Sequence, residues 1–493
     1  MKKISVVLLA VALSFALALP AMAGPGTVVL KTDGDITARF GASIRAIPTY
    51  EENWDFGIED ATGIASFLAH GTEAGTVGQS YVRTEQRLYF NFEKKDIWSL
   101  YVALENDTVY EQNAIDRFQN ANAFEFNIER IAAAISLPSI KSTFYTGWDA
   151  YGVSPQSGAI YLDDDPGFWL KGKDGNVNWQ VGYHKKKNSR AAATGNPALT
   201  GTDAEFNESI GGFFASRNLD RIIYDAKVGF NVAEGHNIAG IYVLDHASNY
   251  QINYLGGQYT GKLGNFNVFG EFAYRFGDAQ DRLGVTAFSE YDVAAYEAFL
   301  YADIDLSESV GFKFVPMAVF HYASGDDNPN DNDLEGYQAV TATQRFGKFF
   351  GSEFSVGTDG NTVIGTLLYS LFPELIGTID TGGIAGIAKG DAPGLWAAGI
   401  GLNFTPVLDY NVVTKLYYME YAENQAAIGL NNTDLGVTWE TVLTKSLDKN
   451  MIVQLAGTFM FPGDAIKDRT LALGGVATDD TLIKAAAELK WSF

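Results

Sequence analysis

The sequence has no cysteine among its 493 residues. This absence excludes disulfide bonds, thiolate metal sites and cysteine nucleophiles. Charged residues are also scarce, at 19% of the chain, and there are only five histidines to serve as a catalytic base. No recognisable nucleophile context accompanies these histidines, although a catalytic constellation is defined by geometry rather than by sequence position. We therefore expect that the protein is not an enzyme.

Long apolar runs are missing from most of the chain. After residue 23, no segment reaches the roughly 18 unbroken apolar residues that a transmembrane helix needs. The earlier run, residues 4–19, follows a lysine pair and precedes the small residues Ala21 and Ala23. This pattern is typical of a secretory signal peptide. We expect residues 1–23 to be removed and residues 24–493 to form one domain, so any membrane crossing must depend on strands.

Glycine, tyrosine and phenylalanine are abundant, with 52, 25 and 33 residues. Glycine suits tight turns, and aromatic side chains suit the interface girdles of a membrane barrel. The formal net charge is −24. Because a surface this acidic repels phosphate backbones, nucleic acid is excluded as a partner.

The last residues, 481–493, alternate between apolar and polar side chains, as in a strand with two different faces. The apolar face carries Ile483, Ala485, Ala487, Leu489, Trp491 and Phe493, and the polar face carries Lys484, Glu488, Lys490 and Ser492. A lysine directed at lipid near the membrane midplane costs roughly 2–4 kcal/mol. The apolar face is therefore expected to contact outer-membrane lipid or lipopolysaccharide, and Phe493 to be read by the barrel-assembly machinery.

Alternating runs between turn signals predict about eighteen strands, with sixteen as an alternative. The predicted strands lie near residues 35–47, 82–93, 98–104, 124–136, 140–148, 166–173, 176–185, 221–232, 237–246, 250–262, 265–276, 291–304, 309–322, 395–405, 410–422, 433–444, 449–461 and 480–493. Every second connection is short, and those between are mostly long and polar. This asymmetry predicts an all-β, antiparallel up-and-down barrel with short periplasmic turns, in the outer membrane of a Gram-negative-type bacterium.

Two segments do not fit simple alternation. The connection 323–394 is too long for an ordinary loop, and we expect it to fold into the lumen as a constriction rather than to add a hairpin. In the fourth strand, Arg130 falls in phase with the apolar residues Phe126 and Ile128. A β-bulge there would restore the inward direction of the arginine.

The segment from Tyr322 to Asp333 reads YASGDDNPNDND. It resembles a Tyr-x-Ser-Gly-Asp-Asp-x-Pro segment of the alginate-export-like family of outer-membrane porins, where it follows a wall strand and opens a long loop. The resemblance implies a monomeric eighteen-stranded conduit, which in that family serves an acidic polysaccharide through a basic pore. More broadly, the chain is similar to porins of sulfate- and metal-reducing bacteria, many of them trimeric.

The inward positions mix both signs of charge, unlike a uniformly basic pore. The predicted lumen-facing residues are Arg39, Arg45, Arg83, Glu85, Arg87, Lys227, Glu271, Arg275, Lys313, Glu440, Lys484, Glu488 and Lys490. Such a lining predicts a porin, monomeric or homotrimeric, that passes small hydrophilic solutes or ions by size and charge. A saccharide export or uptake conduit and a barrel sheath for a periplasmic electron carrier remain as alternatives.

Four carboxylates after the thirteenth strand form the one candidate cation site. Asp326, Asp327, Asp331 and Asp333 supply the oxygen ligands that calcium prefers, although the acidic ligand at the twelfth position of an EF-hand is missing. We expect no cofactor apart from calcium held loosely by these loops.

Overall fold

The computed structural model describes twelve stretches of the chain. These are residues 28–31, 35–53, 78–110, 126–186, 221–247, 250–280, 290–328, 331–340, 393–407, 410–426, 429–472 and 480–493. The predicted signal peptide lies outside them. No helix in these stretches is both long and apolar enough to cross a bilayer.

Strands dominate the described residues. They are β1 (Val28–Lys31), β2 (Ile36–Glu52), β3 (Gly78–Lys94), β4 (Trp98–Tyr110), β5 (Asn127–Leu137), β6 (Ser142–Gly152), β7 (Leu162–Asp174), β8 (Val177–Lys186), β9 (Arg221–Ala233), β10 (His236–Ala247), β11 (Tyr250–Leu263), β12 (Phe266–Gln280), β13 (Glu290–Ile304), β14 (Phe314–Ala323), β15 (Asp333–Leu334), β16 (Leu395–Val407), β17 (Tyr410–Glu420), β18 (Asp434–Asp448), β19 (Met451–Pro462) and β20 (Leu482–Ser492). The helices are a 3₁₀ turn (Pro138–Ile140), α1 (Ser307–Val310) and α2 (Asp464–Ala472).

Eighteen of these strands, β2–β14 and β16–β20, form a closed antiparallel barrel in which each strand pairs with its neighbours in sequence. The sheet closes because β20 pairs with β2, from Ser43 opposite Ser492 to Glu52 opposite Ile483. The short β1 continues along the same edge of β2 below the chain end, and β15 pairs in parallel with β13 outside the wall order. The predicted fold and strand number are confirmed.

Every second connection is short, as the sequence predicts, and these alternate connections lie at one rim of the barrel. One prediction is wrong in detail: the thirteenth wall strand begins at Phe314 rather than at residue 309. Residues 307–310 form α1 instead. The Asp305 carboxylate accepts the backbone N–H of Ser307 at 2.9 Å, and Gly311 ends the helix with a φ of 82°.

The predicted bulge in β5 is present. Ala103 of β4 lies opposite Arg130, whereas the next residue of β4, Leu104, lies opposite Ile128, so Glu129 is the extra residue. Ile128 and Ile131 are 52% and 41% exposed. The bulge therefore keeps two apolar side chains on the outer face while two consecutive charged residues face inward.

The outer face of the barrel is apolar. In β13, Tyr296 and Leu300 are 45% and 51% exposed, whereas Glu297 between them is completely buried. The same alternation places large exposed side chains on the outer face of most wall strands, from Phe168 and Leu255 to Trp439. Exposing so large an apolar outer face to water is unfavourable, whereas contact with the hydrocarbon of a bilayer is favourable.

A charge placed on this apolar outer face tests which strand face contacts lipid. We expect Leu300→Lys to lower the free energy of unfolding by roughly 2–4 kcal/mol, since the ammonium would enter lipid. Leu300→Ala is the matched control, because it removes the same side chain without adding charge. Urea unfolding in liposomes measures both, and equal losses for the two variants would contradict the outward direction of Leu300.

Candidate functional site

A row of ion pairs crosses six adjacent strands on the inner wall. It consists of Glu488 on β20, Arg45 on β2, Glu85 and Arg87 on β3, Glu105 on β4, Glu129 and Arg130 on β5, and Asp149 on β6. We call this row the ion-pair belt. It begins at the seam where the barrel closes, so residues far apart in sequence become neighbours.

Arg45 occupies the seam end of the belt. Its Nη1 donates to Glu85 Oε2 at 2.6 Å, and its Nε donates to Glu488 Oε1 at 2.9 Å. All three side chains are buried. Two carboxylates thus share one guanidinium across three strands, a geometry that the planar fork of arginine suits and that lysine cannot reproduce.

Arg87 occupies the middle of the belt and contacts three carboxylates. Its Nη2 lies 2.6 Å from Glu105 Oε1 and 3.1 Å from Glu129 Oε1, and its Nε lies 3.3 Å from Glu85 Oε1. The β-bulge makes this arrangement possible, because it directs Glu129 inward beside Arg130. Arg130 Nη2 follows at 3.5 Å from Glu129 Oε1.

The far end of the belt is looser. Arg130 Nη1 lies 4.0 Å from Asp149 Oδ1, and both side chains are about 30% exposed. In all, the belt contains five carboxylates and three guanidinium groups. With these groups ionised, the belt itself carries two more negative than positive charges. Lys490 and Lys171 border its two ends. The excess that attracts cations therefore lies in its middle, around Glu105 and Glu129.

The opposite part of the lumen is filled by the chain itself. Two segments fold onto the inner face of β7–β13: residues 153–161, which we call the first inner segment, and residues 331–340, the second inner segment. Their apolar side chains, including Ile160 and Tyr337, form one buried cluster with wall residues such as Tyr254. Residues 336–340 of the long connection after β14 therefore pack inside the barrel.

The two inner segments bind each other. The Tyr337 hydroxyl donates to the Ala159 carbonyl at 2.9 Å, and the Val340 N–H donates to the Ile160 carbonyl, also at 2.9 Å. Each segment supplies a backbone hydrogen-bond partner to the other. Without one segment, the other would have an unsatisfied backbone group.

Wall side chains hold both inner segments through hydrogen bonds to the backbone carbonyls and to one hydroxyl group of those segments. Arg275 Nη1 donates to the Gly336 carbonyl at 2.8 Å, and the Ser157 hydroxyl donates to Glu271 Oε1, also at 2.8 Å. The Lys227 ammonium donates to the Val153 carbonyl at 2.8 Å. Three residues that the sequence assigns to the lumen lining thus hold the inner segments.

Two buried histidines lie beside carboxylates near these segments. His184 Nε2 lies 3.5 Å from Asp225 Oδ2, and the Asp225 Oδ1 accepts the Tyr151 hydroxyl at 2.5 Å. His321 Nε2 lies 3.2 Å from Glu297 Oε2. Each pair bridges strands of the wall, so the contacts that the structure gives these groups are structural.

The remaining predicted lining residues take different positions. Arg39 pairs with Glu93 at 2.6 Å, and Glu440 Oε1 accepts the Tyr417 hydroxyl at 2.8 Å. Lys484 is buried and Lys490 half-buried on β20, and the side chain of Arg83 lies outside the described residues. Lys313 is placed differently from the prediction: it lies in the turn before β14, exposed, with its ammonium 3.1 Å from Asn411 Oδ1.

The calcium candidates are engaged in the turn that follows β14. Asp326 Oδ1 accepts the Asn328 N–H, and Asp331 Oδ1 accepts the Asp333 N–H, both at 2.9 Å. Among the described residues, no group of three or more acidic or histidine side chains is arranged to hold a metal ion. Calcium binding stays a prediction.

These carboxylates change the pKa of the neighbouring residue Glu335. Partial burial, reinforced by the charges of Asp327, Asp333 and Asp331, raises the pKa of Glu335. The mouth of the barrel beside the second inner segment is therefore strongly acidic.

Sequence reasoning missed three members of the ion-pair belt and the first inner segment. Glu105 and Asp149 lie beyond the predicted ends of their strands, and Glu129 is the extra residue of the bulge that was predicted from Arg130. The apolar run Ala159-Ile160-Tyr161 inside a polar connection was a signal, because exposed loops seldom carry three such residues in succession.

No family model matches the sequence, and no curated protein does. Solved structures of porins match over nearly the whole chain. OccAB2 of Acinetobacter baumannii is 10% identical, with 92% of this chain and 98% of that chain covered and a TM-score of 0.51. A BenF-like porin from Pseudomonas fluorescens Pf-5 is 7% identical, with the same coverage and a TM-score of 0.51.

A third match is OccK2 (OpdF) of Pseudomonas aeruginosa in complex with glucuronate, at 12% identity, with 92% of this chain and 96% of that chain covered and a TM-score of 0.50. Similarity at this identity concerns the fold. The chain has a barrel of the outer-membrane porin type.

The buried end of the belt predicts a large effect of one substitution. We expect Arg45→Met to lower the free energy of unfolding by roughly 3–5 kcal/mol, because Glu488 loses its buried partner. Arg39→Met, on the same strand, removes a pair that is about one-third exposed and should cost less than about 1 kcal/mol. Urea unfolding in liposomes compares them, and similar losses would contradict the importance of burial.

The contact between the inner segments can be tested by cross-linking, since the chain has no native thiol. We expect cysteines introduced at Ile160 and Val340 to form an intramolecular disulfide on mild oxidation, because their backbones are hydrogen-bonded at 2.9 Å. Thiol titration before and after oxidation measures the reaction. A control pair at Ile160 and Val310, on the opposite rim, should keep both thiols; oxidation of both pairs alike would refute the assignment.

Proposed function

We propose that the protein is a passive outer-membrane channel for small hydrophilic solutes and ions. The observation that carries this proposal is the opposite chemistry of the two barrel faces: an apolar outer belt and an inner wall crossed by the ion-pair belt. Charged side chains on the inside of a closed barrel are stable only where water reaches them or where they pair. Here they do both, since the belt runs from buried Glu488 and Arg45 to Asp149, whose side chain is 30% exposed.

Passage along such a wall needs no conformational cycle. A solute that enters the wet lumen exchanges part of its hydration shell for the fixed charges and dipoles of the wall, so the barrier is low. The rate then depends on the narrowest section and on its charge. In this barrel the inner segments narrow the lumen from the β7–β13 side, which forces solutes towards the ion-pair belt.

The glucuronate bound by the similar OccK2 barrel supports a solute of about monosaccharide size. Export of a long polysaccharide finds less support, because the inner segments occupy part of the lumen cross-section. The alginate-export-like resemblance and the electron-carrier sheath therefore remain predictions without a supporting contact. Monomer and homotrimer are both compatible with the barrel.

The negative excess of the belt predicts the ion preference. In a planar bilayer with a potassium chloride gradient, we expect the purified protein to conduct and its reversal potential to indicate cation preference. The double variant Glu105→Gln with Glu129→Gln should lower the cation-to-anion permeability ratio at least about twofold, since it removes two fixed charges from the lumen.

Glu308→Gln is the matched control, because it removes one carboxylate from the periplasmic turn at α1 and should leave the ratio unchanged. Absence of any conductance would overturn the channel itself. Conductance with anion preference would leave the channel standing and refute the role of the belt.

A further inference from the structure

Stacked aromatic rings line the inner wall beside the ion-pair belt. Tyr89 on β3 and Tyr101 on β4 stack with ring centroids 6.5 Å apart and planes inclined by 20°. Tyr145 on β6 and Trp169 on β7 stack at 5.6 Å and 4°. The tyrosines are half-buried, whereas Trp169 is buried beneath its neighbours. Three phenol rings therefore remain accessible on the lumen side.

Small residues separate the two ring pairs. On β5, Ala132 lies opposite Tyr101, and Ala134 lies opposite Tyr145. Ala132 lies opposite Gly147 of β6, where a Cβ atom would come within 2.1 Å of the Ile131 carbonyl oxygen. A larger side chain at the glycine is thus excluded. Between Tyr101 and Tyr145, the inner wall therefore carries only small side chains, with an aromatic ring on either side of them.

The distance between β4 and β6, across these small side chains, suits a cyclic solute. Neighbouring strands lie about 4.8 Å apart, so β4 and β6 are separated by roughly 10 Å. A six-membered ring lying over the alanines can place an apolar face against one or both tyrosines. Aromatic side chains bind such faces through dispersion while their hydroxyls stay hydrated.

Charged groups border the same place. Arg130 and Asp149 are the next inward residues beyond Ala132 and Gly147 on their strands. The Lys171 ammonium lies 5.1 Å from the Tyr151 ring centroid and 5.9 Å from that of Tyr145. Within the described residues it forms no salt bridge, unlike the arginines of the belt. A ring decorated with hydroxyl groups finds both an apolar surface and hydrogen-bonding partners here.

We propose that Tyr101, Tyr145 and the alanine floor between them form a saccharide-binding subsite in the lumen, which takes a pyranose ring with its apolar face on the tyrosines. Arg130, Asp149 and Lys171 hydrogen-bond its hydroxyl groups. The subsite slows the passage of a sugar ring relative to that of an open-chain polyol of similar size. This inference rests on the proposed channel, whose solute class it narrows.

The test measures block of single-channel current by methyl glucoside, whose pyranose ring cannot open, and by sorbitol, which has no ring. We expect methyl glucoside to block at concentrations several-fold lower than sorbitol. Tyr101→Ala and Tyr145→Ala should each weaken the block by methyl glucoside about three- to tenfold, the size of an aromatic contact. Tyr145→Phe should retain most of it, because the ring persists.

Tyr410→Ala is the control. It removes a tyrosine that also carries a lysine over its ring, Lys445 at 4.2 Å, but it lies on the outer face of β17, in phase with exposed Leu416. Block in this variant should equal that of the wild type.

The outcomes separate the two proposals. Absence of conductance would overturn the channel. Normal potassium chloride conductance with equal block by the two polyols, or with block that survives both tyrosine-to-alanine substitutions, would overturn the subsite alone. Loss of conductance in Tyr145→Ala is addressed by Tyr145→Phe, which keeps the packing against Trp169.

Discussion

The structure depends on one constraint: within hydrocarbon, every backbone N–H and carbonyl group must find a partner inside the protein. The sheet therefore has to close, and it does so where β20 meets β2. β2 is 17 residues long and pairs on one edge with both chain ends, β20 above and β1 below. The Phe493 N–H and carbonyl bond to Ala42 at 2.8 and 2.7 Å, so the last residue completes the seam.

Closure also creates the polar lining. Arg45 and Glu488 meet only because the first and last wall strands become neighbours. From that seam, each guanidinium of the belt contacts carboxylates on adjacent strands. Cross-strand pairing of this kind offsets the cost of placing charges on a sheet. It also fixes the long side chains, so that the lumen presents an ordered pattern of charge rather than mobile cations and anions.

The lumen is asymmetric because two parts of the inner wall are covered by different groups. From β20 to β6 the wall is covered by paired charges and half-buried tyrosines, which water can reach. From β7 to β13 it is covered by the two inner segments and an apolar cluster. In the proposed channel, solutes would pass along the charged and aromatic side, where the proposed charge selection and ring recognition would act on the same path.

The sequence by itself determined the strands, their number and their short turns, because alternation of period two and turn residues are local properties of the chain. It also indicated the bulge in β5, from one arginine out of phase. Only the tertiary structure decided that Glu105, Glu129 and Asp149 share one belt, that residues 153–161 lie inside the barrel, and that Lys313 lies in a turn. The physical reason is that these outcomes depend on which strands meet across the closed sheet and which loops find an unsatisfied inner face. Neither is recorded in the spacing of neighbouring residues.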